Sequence, residues 1–140
     1  MIDVAERRHS GLQLSWVAFG WFVAAAITAA VVFVLIQLGL VTRQAPGAAS
    51  WTLVAIIAGF GTGGFFTARR ASDAPVAHGL AIGGFSVVVW LVANLLGQLV
   101  DAGARGWAGL PLGEALIVLL VQAIAATGGA WLGRRWTHTG

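Results

Sequence analysis

Five polar side chains within otherwise apolar stretches are the residues of this chain best placed to do chemistry. They are Gln37, Asn94, Gln98, Asp101 and Glu114. The spacing of Asn94, Gln98 and Asp101 is i, i+4, i+7, so one helix would carry all three on a single stripe. Polar groups inside a membrane are costly and are therefore candidates for a functional site. One interpretation is an outward-facing polar vestibule in which Glu114 accepts a proton or cation and pairs at rest with Arg105.

A structural interpretation of the same residues is favoured over the vestibule. A glutamate in the first turn of a helix is stabilised by the helix dipole. Asparagine and glutamine side chains form interhelical hydrogen bonds of about 1 kcal/mol each in membranes, and we expect Gln122 to bond across the bundle in this way. His78 is expected to be a solvated residue near the membrane surface.

Other kinds of site have no support in the sequence. The chain has no cysteine, and its histidines and carboxylates do not lie at metal-ligand spacing. No nucleophile lies beside a base. We therefore expect no catalytic residue, no metal site and no cofactor.

The composition defines the class of protein. Of the 140 residues, 59% are hydrophobic and only 9% are charged, whereas soluble domains carry about 25% charged residues. The mean hydropathy is +0.88. These values exclude a soluble globule and predict an integral membrane protein with one domain.

Four stretches almost free of charge are each long enough to cross a bilayer as a helix, which takes roughly 20 residues. We predict an all-α polytopic fold with transmembrane helices at about 14–41, 47–68, 76–100 and 111–133. Pro46, Pro75 and Pro111 fall at or near the predicted helix starts, where the missing N–H group has no helical partner to lose.

The arginines predict how the helices are oriented. One side of the membrane receives Arg7, Arg8, Arg69, Arg70, Arg134 and Arg135, and the other receives Arg43 and Arg105. Because basic residues concentrate on the cytoplasmic side, both termini are expected in the cytoplasm. The six cytoplasmic arginines are candidate contacts for anionic lipids. No run of basic residues is long enough to indicate nucleic-acid binding.

An internal repeat relates the two halves of the chain. A shift of 65 residues places Thr62-Gly63-Gly64 on Thr127-Gly128-Gly129 and Arg69-Arg70 on Arg134-Arg135. The halves, residues 1–70 and 76–135, are therefore predicted to be two helical hairpins related by duplication. Both hairpins would run in the same direction, so the repeat axis would lie along the membrane normal.

Small residues at four-residue intervals predict where the helices pack. In lipid, helix association depends on close backbone approach at such residues. The candidate packing positions are Gly59, Gly63, Gly64, Gly79, Gly83, Gly128, Gly129 and Gly133.

The segment Gly-Gly-Phe-Phe-Thr-Ala-Arg-Arg at residues 63–70, followed by His78-Gly79 and a further apolar helix, resembles a group of small four-helix bacterial membrane proteins of the YrzE type. The resemblance implies a four-helix architecture and a bacterial inner-membrane location. It implies no activity and no site residue.

These observations lead to two functional expectations. The first is a non-enzymatic membrane protein that acts through helix–helix contacts, as an accessory or assembly subunit of a larger complex or as a homo-oligomer. The alternative is a small transporter or channel that uses the polar vestibule around Glu114. The expected partners are the lipid bilayer, anionic lipids, and other membrane subunits or a second copy of the chain.

Overall fold

The fold is all-α and is formed by four long helices. The structure, a computed structural model, describes residues 13–42, 44–70, 74–99 and 112–137, and in the last two ranges it describes side chains as far as residues 96 and 136. The helices are α1 (Leu14–Gln37), α2 (Ala48–Arg70), α3 (Pro75–Leu99) and α4 (Leu112–Thr137). Each is long and apolar enough to cross a membrane, which confirms the predicted all-α fold with four helices of spanning length.

Helix α1 ends four residues earlier than the hydrophobic pattern predicts. Gly39 has a positive φ of 73°, and its N–H group donates to the carbonyl of Ile36 at 2.9 Å. The N–H group of Leu40 donates to the carbonyl of Leu35, also at 2.9 Å. These two bonds form a Schellman motif, in which glycine adopts the left-handed conformation that ends a helix. Apolar residues continue past this point, so hydropathy alone placed the end too late.

The other helix bounds agree with the prediction to within two residues, except at the end of α4. That helix continues to Thr137 rather than stopping at residue 133. Arg134 and Arg135 lie in its last turn, where cations are favoured by the helix dipole. Shifted by 65 residues, the bounds of α2 match those of α4 to within two residues.

As α3 does, helix α2 packs against the other three helices. Its most extensive packing is with α4, followed by α1. Within the described ranges, α1 and α4 make no contact. Helices α1 and α3 run in the same direction, because Gln13 bonds to His78 at one level and Trp21 bonds to Ser86 at another.

Few residues form the interior of the bundle, and the exterior is strongly apolar. The core cluster consists of Val17, Ala24, Ile56, Phe60, Ile82 and Ala126. Large apolar side chains point outward on every helix; the exposed fraction of Phe22 is 67%, and that of Ile124 is 63%. An apolar surface of this extent marks an interaction with lipid or with other proteins, and the four spanning-length helices indicate a membrane protein.

Hydroxyl groups on the helices are satisfied by their own backbone. Six serine and threonine hydroxyls donate to the carbonyl four residues earlier, with oxygen–oxygen distances between 2.7 and 3.3 Å: Thr28, Thr52, Thr62, Thr67, Ser86 and Thr127. Such bonds let a hydroxyl lie in a medium that offers no water. These side chains therefore need no external ligand.

Candidate functional site

The predicted vestibule is not assembled by the residues that the structure describes. Gln37 is the exposed last residue of α1, and Glu114 is exposed in the first turn of α4. The Asn94 side chain donates to a carbonyl of its own helix one turn earlier, at 2.9 Å. Among the described residues, no hydrogen bond or ion pair joins any two of these three. The Gln98 side chain and Asp101 lie outside the described residues.

His78 is buried rather than solvated, contrary to the expectation from the sequence. Its exposed fraction is 2%. Its Nδ1 atom lies 2.8 Å from the carbonyl oxygen of Ala74. A carbonyl can only accept, so this contact assigns the ring hydrogen to Nδ1. The Nε2 atom then accepts a hydrogen bond from the backbone N–H of Gln13 at 3.3 Å. The imidazole thus links the first turn of α3 to the start of α1.

A second polar contact joins the same two helices. The indole Nε1–H of Trp21 donates to the Ser86 hydroxyl at 2.9 Å, and Ser86 is 1% exposed. The Trp21 ring also meets Phe85 edge-on, with a centroid distance of 5.4 Å. The Trp21 side chain therefore makes both a polar and an aromatic contact inside the bundle.

Helices α2 and α4 approach so closely that glycine is required at the contact. A Cβ atom added to Gly64 would collide with the carbonyl of Ala126, and one added to Gly129 would collide with the carbonyl of Gly61. Each contact is converted into the other by the 65-residue shift. Backbone approach of this kind is the packing mode expected between membrane helices.

Five further predicted glycines lie at close contacts between α1 and α2, between α3 and α4, and again between α2 and α4. Added Cβ atoms at four of them would lie 2.5–2.6 Å from a neighbouring helix: Gly63 from Gly20 O, Gly79 from Thr127 Cα, Gly83 from Ala123 Cβ and Gly133 from Phe65 O. Gly59 lies against Ala24 and Thr28 of α1.

Gly128 does not pack against another described helix, which corrects the prediction at this position. It is exposed, and no atom lies within 4 Å of an added Cβ. Successive residues of a helix point about 100° apart, so α4 cannot direct both Gly128 and Gly129 at α2. Gly128 instead borders two surface grooves, of about 440 Å³ between α2 and α4 and about 510 Å³ between α3 and α4.

Gln122 carries an unpaired polar atom in the interior. Its side chain is 5% exposed, and its Oε1 atom has no hydrogen-bond partner among the described residues. The bond across the bundle expected from the sequence is therefore not made by this oxygen. The buried Nε1 atom of Trp90 also has no hydrogen-bond partner in the part of the chain that the structure describes.

We expect Gln122→Met to stabilise the protein by about 1 kcal/mol, because a buried acceptor without a partner carries an unrecovered desolvation penalty. Methionine has a similar volume and adapts to an irregular cavity. The measurement is the thermal unfolding midpoint in detergent. Gln122→Ala, which leaves a cavity, should lower the midpoint. A lower midpoint for the methionine variant would mean that the amide is bonded in the native protein.

Arginines and aromatic rings gather at one end of the bundle, where α2 and α4 end and α1 begins; we call this the basic end. The Cζ atom of Arg69 lies 5.7 Å from the Phe65 ring centroid. That of Arg135 lies 4.1 Å from the Trp131 centroid. Arg134 also lies in the last turn of α4, whereas Arg7 and Arg8 lie outside the described residues.

A surface groove opens between α1 and α2 at this end. It is lined by Ser15, Trp16, Phe19, Val23, Phe66 and Arg70, and its volume is about 690 Å³. Arg70 reaches across from α2, and its Cζ atom lies 5.9 Å from the Trp16 ring centroid. We refer to it as the α1–α2 groove.

The fold and these surfaces define a class, a four-helix bundle whose helices can each span a membrane. No group of three metal-ligating side chains occurs in the part of the chain that the structure describes. Comparison with protein-family models, with curated proteins and with solved structures finds no significant match.

Proposed function

We propose that this chain is a non-enzymatic integral membrane protein that acts through helix–helix contacts, as a subunit that binds another membrane protein or a second copy of itself. We place it in the bacterial inner membrane with both termini and the α2–α3 connection in the cytoplasm. The support for this orientation is the concentration of arginines at the basic end, because cytoplasmic segments are enriched in them. The resemblance to YrzE-type proteins agrees with this location.

We also propose that the two hairpins arose by duplication and are related by an approximate two-fold axis along the membrane normal. The support comes from contacts at a separation of 65 residues, which pair Gln13 with His78 and Trp21 with Ser86. Residues related by a two-fold axis meet one another close to that axis. The 65-residue shift also exchanges two glycine contacts between α2 and α4, that of Gly64 with Ala126 and that of Gly129 with Gly61.

The observation that carries the functional proposal is a departure from this symmetry. Gly63 of α2 is covered by Gly20 of α1, whereas its repeat equivalent on α4, Gly128, is open. The residue equivalent to Gly20 is Phe85, whose ring packs against Trp21. Helix α3 therefore does not cover α4 as α1 covers α2. The open face offers a partner helix the kind of contact that α2 makes within the chain.

Gly128→Ile tests this proposal, with Gly84→Ile as a matched control. Both glycines lie on exposed helix faces with no atom within 4 Å of an added Cβ, so neither substitution should disturb the fold. The tagged protein is purified from its native membrane in mild detergent, and stoichiometric partners are identified by mass spectrometry. We expect Gly128→Ile to reduce recovery of the partner, or of the homo-oligomer, at least fivefold.

Gly84→Ile should leave recovery unchanged. Full recovery of the partner or homo-oligomer with Gly128→Ile would show that the open face around Gly128 is not the binding surface. Recovery of wild-type protein as a monomer, without any partner, would contradict the assembly function itself.

A further inference from the structure

The α1–α2 groove combines an apolar floor with a cationic rim. Phe19, Val23 and Phe66 supply apolar side chains, while Arg70 and the Ser15 hydroxyl lie where the groove meets the basic end. From Trp16 to Val23 the groove follows eight residues of α1, a rise of about 10 Å along the helix. The groove is open at the surface of the bundle rather than enclosed.

Of the charged side chains that the structure describes, those nearest the mouth of the groove are cationic, which favours an anion. Glu114 is the only acidic residue within the described ranges, and it lies at the first turn of α4, the opposite end of the bundle. Within those ranges Arg70 makes no ion pair, and its guanidinium lies over the Trp16 ring. The positive end of the α1 dipole lies at the same level and adds to the attraction. A phosphate is the anionic group expected at this depth of a membrane.

In the second hairpin, the position equivalent to Arg70 has different neighbours. The repeat equivalent of Arg70 is Arg135, which stacks on Trp131 of its own helix at 4.1 Å. The equivalents of Trp16 and Phe19 are Ala81 and Gly84, which provide no aromatic wall. The groove between α3 and α4, of about 510 Å³, is lined by Trp131 but by no arginine. Arg135 therefore has the same charge and level without lining a groove, which makes it an internal control.

We infer that the α1–α2 groove binds one anionic phospholipid, with the phosphate at Arg70 and the upper part of an acyl chain lying between the two helices. Tryptophan and arginine at the level of the headgroups are suited to this role. The volume of about 690 Å³ falls within the usual range for small-molecule sites, about 300–1,000 Å³. The inference rests on the proposed placement in a membrane, with the basic end at one surface.

Native mass spectrometry of the full chain, titrated in detergent with dioleoylphosphatidylglycerol or dioleoylphosphatidylcholine, tests the inference. We expect one phosphatidylglycerol to be retained in preference to phosphatidylcholine. Arg70→Gln should weaken phosphatidylglycerol binding about fivefold, the effect of one arginine at a membrane surface. Arg135→Gln should change it less than twofold. Equal losses in the two variants would show that the charge at the basic end acts diffusely, and would overturn the inference.

Two further measurements test the apolar part of the groove separately from the charge of Arg70. Val23→Trp fills its apolar end without changing any charge, and we expect it to weaken phosphatidylglycerol binding at least threefold. Water-soluble glycerol phosphate should not compete, because it lacks the acyl chain. Competition by glycerol phosphate, or unchanged binding in Val23→Trp, would contradict binding of a whole lipid. Flotation of the wild-type chain with vesicles of either lipid checks the membrane placement separately, so failure of that proposal can be told apart from failure of this one.

Discussion

Replacement of Gly129 by alanine is expected to destabilise the bundle by about 1–3 kcal/mol, the usual effect of forcing an extra methyl group into a packed interface. The added Cβ would collide with the carbonyl of Gly61. That obstacle is backbone, so no side-chain rotation can relieve it, and α2 and α4 must separate. Gly64→Ala should act similarly through the carbonyl of Ala126. The measurement is the unfolding midpoint in a detergent that keeps the chain monomeric.

Gly128→Ala is the matched control, because it makes the same change one residue away on the same helix. Its Cβ would meet no atom within 4 Å, and alanine favours helix over glycine by about 1 kcal/mol. We therefore expect an unchanged or higher midpoint. Equal destabilisation by the two substitutions would show that the effect comes from α4 itself rather than from its contact with α2.

The number and type of helices could be predicted from the sequence because a spanning helix depends mainly on length and apolar content. The end of α1 could not be predicted in this way, since it depends on the left-handed conformation of Gly39 rather than on hydropathy. A glycine close to the end of an apolar run is the signal that marks such an end.

Glycine spacing indicated the close helix contacts but not which glycine of an adjacent pair makes them. Gly128 and Gly129 are adjacent, so their sequence neighbours are nearly the same. Only the rotation of α4 about its axis decides that Gly129 meets α2. That rotation depends on all the contacts that α4 makes with the rest of the bundle. For the same reason, the sequence alone did not show that Gly128 would be left open.

The hydrogen-bond partners of the polar residues could not be predicted from the sequence, because they are distant along the chain. Trp21 and Ser86 are unremarkable in isolation, and their hydrogen bond follows only when the two hairpins are placed side by side. The 65-residue repeat contained a usable signal, since both members of this pair occupy the same repeat position. Gln13 and His78 have the same relation.

His78→Ala is expected to destabilise the protein by roughly 1–3 kcal/mol, because it removes a buried side chain and leaves the Gln13 N–H group without its acceptor. The effect should be local: α1 would lose its polar attachment to α3 at the basic end, while Trp21 and Ser86 still hold the helices together further along. Hydrogen exchange in detergent should therefore rise in the first turns of α1 and remain unchanged in α4. His78→Gln, whose amide can both donate and accept, should retain part of the stability. Uniformly faster exchange in all four helices would mean that His78 supports the fold as a whole rather than the attachment of α1.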